Sequence, residues 1–203
     1  MSFKTEQENF WSTEFGNEYI ERNQEWKNKV PLFSKALRMT DKIDSVIEFG
    51  CNIGLNIKAL SFLFPSMEFS GVEINKQASD ILNENNNVKV FNTSIFDYKV
   101  EKTCDMSMIK GVLIHINPEM LKVVYEKLYK SSNQYIFISE YYNPTPIEVE
   151  YRGHKGKLFK RDFAGEMLDI YPDLKLVDYG FVYHRDNHFP QDDDTWFLLE
   201  KKR

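Results

Sequence analysis

The sequence is short of cysteine, of basic charge and of long apolar runs. Of its 203 residues, only Cys51 and Cys104 are cysteines. Two thiols so far apart form neither a zinc-ligand spacing nor a disulfide framework, which suits a reducing compartment. No apolar stretch approaches the ~20 residues of a membrane-spanning helix. The opening residues, MSFKTEQENFW, contain no signal-peptide apolar region. The chain is therefore expected in the cytoplasm, away from membranes. A formal net charge of −5 argues against a broad nucleic-acid footprint. Internal repeats and low-complexity linkers are also absent. What remains is a globular composition, 42% hydrophobic and 15% aromatic, on a length that favours one domain with a sizeable core.

The apolar pattern changes character along the chain. Residues 5–39 read as amphipathic helix, with Phe10, Trp11, Phe15, Tyr19 and Ile20 at roughly helical spacing and Gly16 as the expected break. Pro31 marks a helix start in the second half of that stretch. From residue 45 short strands alternate with helices. Strands are expected over 45–49, 68–74, 88–91, 104–109 and 134–139, and helices over 53–64, 76–84 and 118–130. Asn85-Asn86-Asn87 reads as a loop. Such alternation predicts a parallel sheet with helices on both faces and a ligand crevice beyond the strands' carboxyl ends. Residues 141–159, with two prolines and two glycines, read as an ordered loop or cap, and 160–170 as a helix. Two strands, 174–183 and 195–200, are expected to form a closing antiparallel pair.

The stretch Val46-Ile-Glu-Phe-Gly-Cys-Asn-Ile-Gly-Leu-Asn56 carries the chemistry. A strand ending in Gly50 that turns at once into a helix exposes backbone N–H groups to a ligand. The dinucleotide fingerprint would need glycines where Asn52 and Leu55 stand, and no P-loop G-K-[ST] is present. Glu48 sharpens the choice. A carboxylate beside a pyrophosphate repels it, whereas beside a sulfonium and an ammonium it is favourable. Glu73 stands at the end of the next strand, where an acid accepts hydrogen bonds from ribose hydroxyls.

In order, EFGCNIG, GVEI, NTSIFDY, CDMSMIKGVLIHINP and YIFISEYY resemble the class I S-adenosylmethionine-dependent methyltransferases over about residues 45–140. The resemblance implies a Rossmann-like seven-stranded, mostly parallel α/β sheet with an antiparallel last hairpin and an N-terminal helical extension. It implies one domain over 1–203: extension 1–40, cofactor core 45–140, substrate loop and helix 141–172, and hairpin 174–203. It places Glu48, Gly50, Cys51 and Gly54 around the methionine part of S-adenosyl-L-methionine. Glu73 would hold the ribose, with Ile74, Ser94 and Ile95 around the adenine. Lys110, Gly111 and Val112 would line the sulfonium side. Ser94 stands where the family often has Asp, which shifts adenine recognition toward backbone and shape. FWSTEFGNEYIERN, IKGVLIHINP and EYYNPTPIEVEYRGHKGKLFKRDF further resemble methylases associated with pseudaminic and legionaminic acid biosynthesis. That narrower likeness implies a nonulosonic-acid sugar or sugar nucleotide as acceptor, methylated at an amino or amidino nitrogen or a hydroxyl, in flagellin or surface glycan synthesis. A different small acceptor, or a cofactor-binding protein without chemistry, are the alternatives.

Methyl transfer needs alignment and, for many acceptors, a base. His115, Glu140 and Tyr141 follow strands and are the catalytic candidates; the alternative for His115, and the favoured one, is a packing histidine held by a backbone group, and for Glu140 a rim acid paired with a basic residue of the loop. Tyr142, Asn143, Arg152, His154 and Lys157 suit an anionic sugar, or a solvated basic loop. Trp11, Phe15 and Tyr19 read as a lid or as core. His184, His188 and Asp192–Asp194 match no closed metal site and read as an acidic hairpin loop, so no metal is expected.

Overall fold

Ser45–Phe49 forms the central strand β1, and all but its first residue are buried because both faces of the sheet are covered. The computed structural model describes residues 3–84 and 87–202. The helical extension comprises α1 (Glu6–Ser12), α2 (Glu14–Arg22) and α3 (Val30–Ala36), the last entered through Pro31. The core follows as β1, α4 (Leu55–Leu63), β2 (Glu68–Glu73), α5 (Lys76–Asn83), β3 (Val88–Asn92), β4 (Cys104–Lys110), α6 (Leu121–Ser131) and β5 (Ser132–Glu140). After it come β6 (Ile147–Tyr151), β7 (His154–Lys160), α7 (Phe163–Ile170), β8 (Leu174–Phe181) and β9 (Thr195–Lys201).

Seven strands form one sheet in the order β3-β2-β1-β4-β5-β9-β8. β1 to β5 pair in parallel, and β9 runs antiparallel between β5 and β8. The strand order reverses between β1 and β4, so a crevice opens beyond their carboxyl ends. One apolar core, including Phe49, Ile109, Leu121 and Met167, fills one face of the sheet. A second, including Phe33, Leu60, Phe137 and Trp196, fills the other. No described helix is long and apolar enough to cross a membrane.

Several expectations need correction. The break in the N-terminal helices falls at Thr13, not Gly16, because the Thr13 backbone is extended, ending α1 and preceding α2. Gly16 lies inside α2, where a Cβ would stand 1.9 Å from the Trp11 carbonyl oxygen. Residues 141–159 are not a loop. β6 and β7 form a separate two-stranded hairpin. Its turn, Arg152 (φ 50°) and Gly153 (φ 84°), has two left-handed residues, the geometry that matches strand twist. Lys160 ends β7, so the helix expected from it begins only at Phe163. Asn85 and Asn86 of the expected loop lie outside the described residues.

Candidate active site

The turn after β1 is built by its two glycines. Gly50 (φ 69°) and Gly54 (φ 77°) both occupy the left-handed region that a side chain disfavours. A Cβ on Gly50 would stand 2.6 Å from Val112 Cγ2, and one on Gly54 would stand 2.5 Å from Leu82 Cδ1. The first glycine thus admits the loop after β4, and the second admits α5. Gly54 serves packing and does not line the cavity beyond the turn.

That cavity has a volume of about 580 Å³ and opens at the sheet's switch point. Gly50, Cys51, Glu73, Ile74, Ser94 and Ile95 line it. So do Lys110, Gly111, Val112, His115, Tyr141 and Arg152. Glu73 is 6% exposed, and its carboxylate accepts hydrogen bonds from the backbone N–H of Asn52 and of Asn75, both at 2.7 Å. Burial raises its pKa against the pull of those donors. Ser94 accepts from the Phe96 amide at 3.1 Å and donates to Glu8, which ties α1 to the end of β3. Lys110 makes a buried ion pair with Asp194. Burial, then repulsion by Lys110, lowers the pKa of the neighbouring Lys29.

Other expected residues stand behind the wall. Glu48 is fully buried and meets the cavity through Asn56, whose Nδ2 donates to Oε1 at 2.6 Å. Burial pushes the Glu48 pKa up to about 8. Glu140 is not presented to an acceptor. Its carboxylate accepts from the amides of Val112 and Leu113 at 2.9 Å and of Ile114 at 3.4 Å. Burial raises its pKa to about 8, and its place is structural, holding the turn after β4. The expectation of a basic substrate loop is corrected too, since only Arg152 reaches the cavity. Tyr142 lies outward against Phe197, with ring centroids 6.0 Å apart. Asn143 donates to the Thr145 carbonyl at 2.5 Å. His154 packs against Phe10 at 5.1 Å, and the Lys157 ammonium pairs with Glu6 at 3.2 Å.

His115 is a packing residue and a cavity residue at once. Its ring packs against Trp11 (4.6 Å) and Tyr151 (4.9 Å), and Nδ1 lies 2.5 Å from the Lys157 carbonyl oxygen. Burial lowers its pKa to about 4. The imidazole is therefore neutral at pH 7, with Nδ1 donating and the Nε2 lone pair free.

Sequence reading missed Asn28, Lys29, Asn56, Gln191, Asp192 and Asp194, all of which line the cavity. Gln7 Oε1, Asn28 Oδ1, Asn56 Oδ1 and Gln191 Oε1, all on residues that line the cavity, are buried acceptors without a protein partner. Four buried unpaired acceptors around one crevice call for a donor-rich ligand. No sequence signal marks these residues, because they come from three separate segments. Among the described residues no three metal-ligating side chains gather. His184, from the segment that invited a metal reading, pairs with Asp193 at 2.8 Å.

No family model and no curated protein sequence matches the chain. Its fold does match solved structures. The plantazolicin methyltransferase BpumL in complex with SAH superposes with a TM-score of 0.67 at 14% identity, covering 97% of this chain and 94% of that one. The 1,6-didemethyltoxoflavin-N1-methyltransferase of Burkholderia thailandensis, bound to 1,6-didemethyltoxoflavin and S-adenosylhomocysteine, gives 0.71 at 11% identity, over 97% and 87%. Magnesium protoporphyrin IX methyltransferase from Synechocystis PCC 6803, with bound SAM, gives 0.66 at 10% identity, over 100% of both chains. The chain has the Rossmann-like class I methyltransferase fold.

Proposed function

We propose that the protein is an S-adenosylmethionine-dependent methyltransferase acting on a small molecule in the cytoplasm. The observation that carries this reading is the pair of unpaired amide oxygens on Asn28 and Asn56 in the cavity, with the buried Glu48 carboxyl directly behind Asn56. An ammonium donates three hydrogen bonds and carries the charge that this acidic wall favours; a pyrophosphate does neither. The residues present therefore fit the nucleoside. Those acceptors would face its α-ammonium, with Lys29 on the carboxylate, Glu73 on the ribose hydroxyls, and Ile74, Ser94 and Ile95 along the adenine. When bound, the cofactor supplies a methyl group activated by sulfonium.

The chain's own part is alignment, exclusion of water and proton removal. Trp11 and Tyr151 pack on His115 and shield its ring from solvent. Nε2 of His115 is the proton acceptor at neutral pH, and Glu140 fixes the turn from which that ring projects. Tyr141 completes the wall.

A nonulosonic-acid sugar is the narrower acceptor reading. It rests on the sequence resemblance and is supported by Arg152 at the cavity mouth, placed to meet a carboxylate. Calorimetry tests the cofactor. S-adenosylhomocysteine binds and NAD does not; the reverse result overturns the proposal. Mass spectrometry of surface glycans tests the sugar, since cells lacking the protein should carry one sugar lighter by a methylene. A protein that bound the cofactor yet methylated nothing in a broad acceptor panel would be a binding module instead.

A further inference from the structure

The segment 184–194 reads from sequence as an acidic hairpin loop, yet the fold lays its end along the cavity. Pro190, Gln191, Asp192 and Asp194 line the same space as Tyr19 and Tyr141. Asp194 is buried and neutralised by Lys110. Asp192 differs. It is exposed at the mouth, and its carboxylate has no hydrogen-bond or ion-pair partner among the described residues. Beside it, Gln191 is only 9% exposed. Its Nε2 donates to the Asn28 carbonyl at 3.1 Å, while its Oε1 is unpaired. Burial and the charge of Asp192 keep the phenols of Tyr19 and Tyr141 protonated.

A free carboxylate, an unpaired amide oxygen and two aromatic rings form a receptor for a cation with several N–H donors. An anionic group at this point would meet Asp192 with repulsion, whereas a cation gains from its charge. We propose that the acceptor atom is a basic nitrogen, an amine or amidine, bound through Asp192 and Gln191 between Tyr19 and Tyr141. This rests on the methyl-transfer reading and deepens it.

The step balances. The bound conjugate acid loses one proton to Nε2 of His115 and from there to solvent, while Asp192 holds the cation in place. The freed nitrogen lone pair forms the N–CH3 bond as the S–CH3 bond breaks. The displaced electron pair stays on sulfur, which leaves as a neutral thioether.

The test uses the full chain loaded with S-adenosylhomocysteine, with benzamidinium chloride and its neutral counterpart benzamide as probes. Calorimetry should find benzamidinium at least tenfold tighter than benzamide. Asp192→Asn should remove that preference and Asp192→Glu should keep it, with S-adenosylhomocysteine affinity within twofold throughout. Equal binding of the two probes, no binding of benzamidinium at millimolar concentration, or an unchanged preference in Asp192→Asn overturns the inference. Failure of S-adenosylhomocysteine to bind the folded protein overturns the methyl-transfer reading itself, a separate result.

Discussion

Nδ1 of His115 lies 2.5 Å from the carbonyl oxygen of Lys157. A carbonyl only accepts, so this contact fixes the proton on Nδ1 and leaves Nε2 with its lone pair. It also ties the turn after β4 to β7, so the inserted hairpin and the sheet share one hydrogen bond at the cavity.

The pH dependence of stability follows from that ring. His115 titrates near 4 in the folded protein against an ordinary 6.5. Below the ordinary value the unfolded chain binds a proton that the native one refuses. Stability from this group is therefore full above about pH 6.5 and is lost as pH falls toward 4, by about 3 kcal/mol at most. Urea unfolding at pH 7.5 and 4.5 should show the slope, and His115→Gln should flatten it. The same variant should lower kcat by tenfold or more with S-adenosylhomocysteine affinity little changed; full turnover would exclude His115 as the base.

Cofactor binding should release a proton. Glu48, raised to about 8, is mostly protonated at pH 7 without ligand. A bound ammonium favours the carboxylate, so close to one proton leaves per S-adenosylmethionine at pH 7, and few leave above pH 9. Calorimetry in buffers of different ionisation enthalpy measures this. Glu48→Gln abolishes the release; a release that persists places the titrating group elsewhere.

Glu73→Ala should weaken S-adenosylhomocysteine at least tenfold, about 1.4 kcal/mol. It should also cost roughly 1–3 kcal/mol of stability, because the Asn52 and Asn75 amides lose their acceptor. Isothermal binding with a parallel unfolding curve separates the two effects. Unchanged affinity removes Glu73 from the site.

Glu140→Ala should loosen the turn that carries His115. Three backbone amides lose their partner. Hydrogen exchange at Val112 and Leu113 should accelerate, and kcat should fall more than cofactor affinity. Slow exchange in the variant would show that the turn holds without the carboxylate.

The core strands were legible because each is a short apolar run bounded by a polar or glycine turn. The hairpin was legible in principle, since Ile147-Glu-Val-Glu-Tyr151 alternates as a strand does and Arg152-Gly153 suits a tight turn. Its prolines and glycines pulled the reading toward a loop. The start of the helix after β7 was misplaced because capping decides it, at Asp162, whose side chain accepts from Gly165 N.

By itself the sequence determined the alternating sheet, the glycine turn and the two acids near the carboxyl ends of β1 and β2, because local pattern and spacing dictate those. Only the tertiary structure decided which groups face the cavity. It turned Glu140 inward to backbone amides and set Glu48 behind Asn56. It also brought Asn28, Gln191 and Asp192 to one wall from residues 28 and 192, far apart in the chain. Side-chain direction and long-range juxtaposition depend on packing between elements, and no local pattern encodes them.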